Sequence, residues 1–139
     1  MLWGATILSV RSHKTVMDMV QALAHESGHN LLFGLCAEGS MHQNDDGARY
    51  SSPLRSDPRP MDGIIHATYV SARMHQAVQR LADASVLNAM QMDEARATNI
   101  NNAKGFAYGM EEIENHARLT PLGRNLLEGA LRYMDAYLS

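Results

Sequence analysis

From Val16 to Leu35 the chain carries no proline, and only Gly28 and Gly34 interrupt residues that favour a helix. Ser12 or Thr15 can cap its start. A helix of this length constrains everything around it, because its apolar surface must be covered. At about 100° per residue, Val16, Met19, Val20, Leu23 and Leu31 fall on one side. Ala22, His25, His29, Leu32, Phe33 and Cys36 fall on the other. A helix apolar on both sides is expected to be buried on both sides, with His25, Glu26 and His29 in the interior, where polar groups need partners.

Those three residues form the pattern His25-Glu26-Ser27-Gly28-His29. Two histidines four apart on a helix are separated by about 40° around the axis and about 6 Å along it, so both imidazoles can reach one ion. Glu26, about 60° from His29, is close enough to act on water bound to such an ion. At this chain's His and Glu content the pattern arises by chance only about two times in a hundred, so it outranks coincidence. The plainer alternative is a pair of core histidines with ordinary hydrogen-bond partners. Two imidazoles and a carboxylate buried on adjacent turns would be costly without an ion, which favours the metal site.

Two protein ligands are too few for a tight catalytic site. The extended zinc-protease pattern would need Gly at position 32 and His at position 35, where this chain has Leu32 and Leu35. No Glu-X-X-X-Asp pattern follows the first motif. Among the other histidines, His66 stands in the apolar helical start Gly63-Ile64-Ile65-His66-Ala67-Thr68-Tyr69-Val70 and is the expected third ligand. His42 is the runner-up. His13, His75 and His116 have polar neighbours and are expected to be solvated.

Elsewhere the pattern predicts a mainly α, single-domain fold over residues 1–139. A short strand is expected at Gly4–Val10. Residues 37–60 hold Asn, Asp, Gly and three of the four prolines, Pro53, Pro58 and Pro60, which excludes a long helix and predicts a long loop between the His-bearing helix and the next one. Its Pro- and Arg-containing part should be stiff and extended. Further helices are expected from Asp62, as cap, to about Leu81, and from Ala84 to about Ala107 with soft spots at Asn99–Asn102 and Gly105. The last is expected from Thr120, as cap, and Pro121 to Tyr137. With few aromatic residues, the core must draw on the ten methionines, read here as packing.

The net charge of −3 is scattered and forms no basic stripe, which speaks against nucleic acid as a partner. The single cysteine, Cys36, offers no internal disulfide. No apolar run is long enough to span a bilayer, and Met1-Leu2-Trp3-Gly4 lacks the features of a signal peptide, so the cytoplasm is the expected location.

Three segments together, Leu23-Ala24-His25-Glu26-Ser27-Gly28-His29, Tyr50-Ser51-Ser52-Pro53-Leu54-Arg55-Ser56-Asp57-Pro58-Arg59-Pro60 and Gly63–Val70, resemble the HExxH-type peptide-modification proteins. These accompany pathways for ribosomally made, post-translationally modified peptides, and members act as iron(II)- and 2-oxoglutarate-dependent peptide β-hydroxylases. The resemblance runs from about Ile7 to Tyr137; Leu54 stands where the family often has an aromatic residue. It implies that His25, His29 and His66 bind iron, and that Arg59, with Arg55, meets a carboxylate of 2-oxoglutarate. A dicarboxylate needs a cationic partner, and Arg offers a bidentate fork. Arg73, two turns after His66 and almost on its face, is an independent candidate.

Three functions follow as expectations. The first is an oxygenase that consumes 2-oxoglutarate and O₂ and hydroxylates a side chain of a precursor peptide, with Glu26 orienting water or a histidine. The second is a zinc hydrolase, since three histidines also suit zinc, with Glu26 as general base. The third is a non-catalytic peptide-binding partner.

Overall fold

The computed structural model describes residues 6–9 and 11–138. Four helices follow one another: α1 (Val16–Cys36), α2 (Met61–Asp83), α3 (Ala89–His116) and α4 (Pro121–Leu138). Of the strand expected at Gly4–Val10, Gly4, Ala5 and Val10 lie outside the described residues, and 6–9 form no strand. Among the described residues there is no sheet for it to join; β pairing is confined to isolated bridges.

The helix ends have identifiable causes. Thr15 caps α1 through a reciprocal pair: its hydroxyl accepts from the Asp18 N–H, and the Asp18 carboxylate accepts from the Thr15 N–H. Asn88 and Gln91 do the same for α3. Thr120 caps α4, its hydroxyl accepting from the Gly123 N–H with Pro121 at the first helical position. The second helix departs from expectation. Its cap is Pro60, with no side-chain hydrogen bond, and Asp62 lies inside the first turn.

α2 is the central element. It packs mainly against α3 and α1 and more lightly against α4. Ile64, Ile65, Tyr69, Val70 and Val78 are buried along it together with Thr68, Ser71 and His75, so its burial extends around most of the helix. Backbones approach closely at two places. A Cβ on Gly109 would collide with the Thr68 side chain, so α3 lies against α2 where α3 has no side chain. A Cβ on Gly28 would come within 2.9 Å of Val70 Cγ1, which sets the α1–α2 crossing. Met17, Met41, Met61 and Met134 are fully or almost fully buried and fill the core as packing residues.

The expected soft spot in α3 is absent: the helix runs unbroken through Asn99–Asn102. Asn99 and Asn102 are buried, and Asn99 Nδ2 donates to the His75 carbonyl of α2 and to Gln79 Oε1, so the polar residues cross-link two helices. The two-sided burial expected of α1 is also corrected. Met17, Gly28 and Leu32 are its buried residues, whereas Leu23 and Leu31 remain 49% and 45% exposed. One face of α1 meets α2, and the other is not buried among the described residues.

Residues 37–60 connect α1 to α2 and are held at two points. Gln43 N–H donates to the Arg118 carbonyl and Thr120 N–H to the Met41 carbonyl, around the bridge between His42 and Leu119. Tyr50 and Arg59 exchange both backbone hydrogen bonds, each 2.8 Å. The segment between them therefore turns back on itself, with bends at 53–54 and 56–57, in place of the extended run expected. Asn44 ties the base down: its amide donates to Tyr50 Oη and the His116 carbonyl, and its Oδ1 accepts from the Arg118 N–H.

Candidate metal centre

The close crossing at Gly28 brings the turn containing His25 and His29 over the first turns of α2, where His66 lies one turn before Val70. All three imidazoles are half-buried and line one cavity of about 290 Å³ with Ser52, Leu54, Arg55, Arg59 and Gly63. The Tyr50–Arg59 loop forms its other wall. His25, His29, His66, Arg55 and Arg59, five of the residues singled out from the sequence, are thus brought together.

His25 Nε2 and His29 Nε2 are 3.0 Å apart. Imidazoles bind iron or zinc at about 2.0–2.1 Å, so two nitrogens on one ion are separated by about 2.9–3.4 Å. This pair already has that spacing. The ring centroids of His25 and His29 are 4.6 Å apart, and those of His29 and His66 are 5.6 Å apart. Two rings on one ion have centroids about 4.5–5.2 Å apart, so His66 stands farther from His29 than a shared ion would place it. As the side chains stand, no three His, Cys, Asp or Glu among the described residues form a group that could hold an ion. Three imidazoles on one cavity are nonetheless the donor type that an iron or zinc ion takes.

Burial lowers the pKa of His25, helped by His29 and partly opposed by Glu26. Burial likewise lowers that of His66, helped by His29 and opposed by Asp62. Both rings are therefore neutral at pH 7, the form in which an imidazole binds metal. Phe33 flanks the group, its ring centroid 6.3 Å from that of His29 and 5.7 Å from that of His66.

The two arginines share Asp57. Arg55 Nε donates to Asp57 Oδ1 at 3.2 Å, and Arg59 Nε lies 3.0 Å from Asp57 Oδ2. The Arg55 hydrogen bond is the main reason the Asp57 carboxyl titrates below its usual range, with the Arg59 charge adding to it. Arg59 Nε is buried and the ion-pair contact is not a hydrogen bond, so its N–H lacks an acceptor.

Glu26 and Arg73 lie elsewhere. Glu26 is exposed and lines a shallow groove with Ser12, His13, Asp18 and His25, outside the cavity shared by His29 and His66. Glu26 is not in the interior as expected; it lies on the solvent side of α1. Arg73 shares the face of His66 but is about 10 Å farther along α2, and it lines cavities toward α1 and α4 with Gln76. His42 is buried against a neighbouring cavity that also reaches His66. His75, expected to be solvated, is 3% exposed, and its Nδ1 pairs with Tyr133 Oη at 2.9 Å. Sequence reasoning missed Asn44 and Tyr50, which anchor the arginine loop. The Ser-Pro and Asp-Pro pairs at 52–53 and 57–58 were the available sign of a turn.

No family model matches this chain, and no curated protein is significantly similar to it. No described helix is long and apolar enough to cross a membrane.

Proposed function

We propose that this chain is an iron(II)- and 2-oxoglutarate-dependent oxygenase that hydroxylates a side chain of a precursor peptide, as the HExxH-type peptide-modification proteins it resembles do. The observation that carries the reading is one cavity lined by three imidazoles and two guanidinium groups, with no carboxylate among its walls. His25, His29 and His66 would hold an iron ion there, which would supply the activation of O₂. The chain's own residues bind and orient. The Arg59 guanidinium lines the cavity and can meet a carboxylate of 2-oxoglutarate, and Arg55 adds a second fork. Asp57 positions both arginines between Tyr50 and Pro60. Ser52 and Leu54 wall the cavity on the loop side.

A zinc hydrolase is the second reading, favoured by the donor set alone, since three imidazoles also suit zinc. It needs Glu26 beside the attacking water, and Glu26 lines a neighbouring groove outside the cavity. A peptide-binding partner without turnover is the third. Anaerobic reconstitution with Fe(II) or with Zn(II), followed by measurement of succinate formed from 2-oxoglutarate, separates them. Succinate with iron alone supports the oxygenase; peptide cleavage with zinc and no succinate under any condition overturns it.

A further inference from the structure

His66 lines two cavities. One is the centre described above; the other, of about 600 Å³, lies beyond it and is lined by Phe33, Cys36, Met41, His42, Asp46 and Asp62 among others. Their charges are opposite. Two arginines and no acid line the first, whereas two aspartates and no Lys or Arg line the second. Neither Asp46 nor Asp62 is ion-paired among the described residues.

A separate observation concerns His42, which is only 9% exposed. Its Nδ1 accepts the Asn44 N–H at 3.1 Å, so a neutral ring carries its proton on Nε2. That N–H has no protein acceptor among the described residues, and the ring lines the cavity. That N–H opens into the cavity and can donate to an acceptor from outside the chain. Phe33 supplies a third element. It is 56% exposed while its ring is held against His29 and His66, so it offers a fixed aromatic face at the boundary between the cavities.

We propose that this second cavity binds a lysine or arginine residue of the peptide substrate, next to the residue presented at His66. The aliphatic stem packs on Phe33, the cationic head meets Asp46 and Asp62, and the peptide carbonyl accepts from His42 Nε2. An acidic residue would face two carboxylates, and a purely apolar one would gain nothing from either charge. This names the substrate class for the proposed oxygenase and rests on that reading for the chemistry at His66, while binding itself requires no metal.

The test uses the whole chain in EDTA and three acetylated, amidated pentapeptides: Gly-Gly-Arg-Gly-Gly and the same peptide with citrulline or Glu in place of Arg. Binding is followed by NMR through the ring signals of Phe33 and His42. The Arg peptide is expected to bind at least about tenfold more tightly than the citrulline peptide, and the Glu peptide least, the span expected for a charge-assisted contact. Asp46→Asn with Asp62→Asn is expected to abolish the preference; both residues are exposed, so the fold should survive. Phe33→Ala, also at an exposed position, should weaken the Arg peptide independently. Equal binding of Arg and citrulline peptides, shifts away from Phe33 and His42, or a preference that persists in the double variant would overturn the proposal. Absence of succinate in the iron assay alongside a clear Arg preference would overturn the oxygenase reading and leave this cavity's assignment standing.

Discussion

Gly28 faces Val70 so closely that a Cβ on Gly28 would lie 2.9 Å from Val70 Cγ1. The contact sits between His25 and His29 along α1 and one turn beyond His66 along α2, so the spacing of the three imidazoles depends on it. Gly28→Leu is expected to push the helices apart, destabilise the chain by about 1–3 kcal/mol as overpacking does, and weaken metal binding. Gly34 is the internal control. It has no neighbour within 4 Å, so Gly34→Ala should be neutral or add about 0.5–1 kcal/mol through helix propensity. Denaturant unfolding and metal titration of both variants read this directly; equal metal affinity in Gly28→Leu and the wild type would refute the dependence.

The donor set has its own test. His25→Ala, His29→Ala and His66→Ala should each abolish stoichiometric binding of Fe(II) or Zn(II), because two remaining imidazoles hold an ion poorly. His42→Ala should leave the stoichiometry intact, since His42 faces the neighbouring cavity. Elemental analysis after desalting decides it, and metal lost from His42→Ala but retained by His66→Ala would reverse the assignment of the third ligand.

Local signals were readable in the sequence and distant ones were not. Thr15 and Thr120 announce their helices because a cap acts within three residues of itself. The three imidazoles could be grouped because two share a helix and the third stood in an apolar helical start. Asn99 looked like a weak point because its acceptor is the carbonyl of His75, 24 residues away on another helix. His75 looked solvated because Tyr133, 58 residues later, is what satisfies it. Arg73 illustrates a different failure: a helical wheel preserves angle and discards the rise, and two turns take its guanidinium to another cavity.

Arg59→Ala should weaken 2-oxoglutarate binding by roughly 10- to 150-fold while metal binding stays close to normal. That range corresponds to about 1.5–3 kcal/mol for a charge-assisted hydrogen bond. Arg73→Ala should change neither, since Arg73 lies outside the cavity. Calorimetric titration of 2-oxoglutarate into metal-loaded protein distinguishes them, and a loss confined to Arg73→Ala would return the carboxylate to the helical-face candidate.

Stability should fall in mild acid, in part through His75. Burial lowers its pKa, and its Nδ1 pairs with the Tyr133 hydroxyl, which burial keeps protonated. The unfolded chain takes up the His75 proton near pH 6.5 and the folded chain only at lower pH. The unfolded state therefore binds more protons in that interval, and stability declines as pH drops through it, by at most about 1.4 kcal/mol per pH unit for one group. Above pH 7 this contribution is complete and constant. His25 and His66 act in the same direction, so the informative quantity is the difference between wild type and His75→Gln in metal-free buffer. The variant should show a shallower decline between pH 6.5 and lower pH; parallel curves would mean that His75 is not the group responsible.

Glu26 separates the enzymatic readings most directly, because each gives it different work. A hydrolase uses its carboxylate to take a proton from water at the centre, and Glu26→Gln, which keeps the shape and removes the basicity, should then cost about 10²–10⁴-fold in turnover. In the oxygenase no carboxylate base is required for hydrogen removal from the peptide. Glu26 is exposed, lines a groove that shares only His25 with the cavity, and acts on the centre through its electrostatic support of His25. Glu26→Gln is therefore expected to reduce 2-oxoglutarate turnover by no more than about 10–100-fold, the range typical of residues that tune a ligand from behind, chiefly through metal affinity. Saturating iron should restore part of that loss, which a missing general base would not allow. Paired assays of succinate formation and peptide cleavage, each at low and saturating metal, supply the comparison. A loss of 10³-fold or more that iron does not relieve would show that Glu26 reaches the reacting water after all, and the hydrolase would become the better account of this centre.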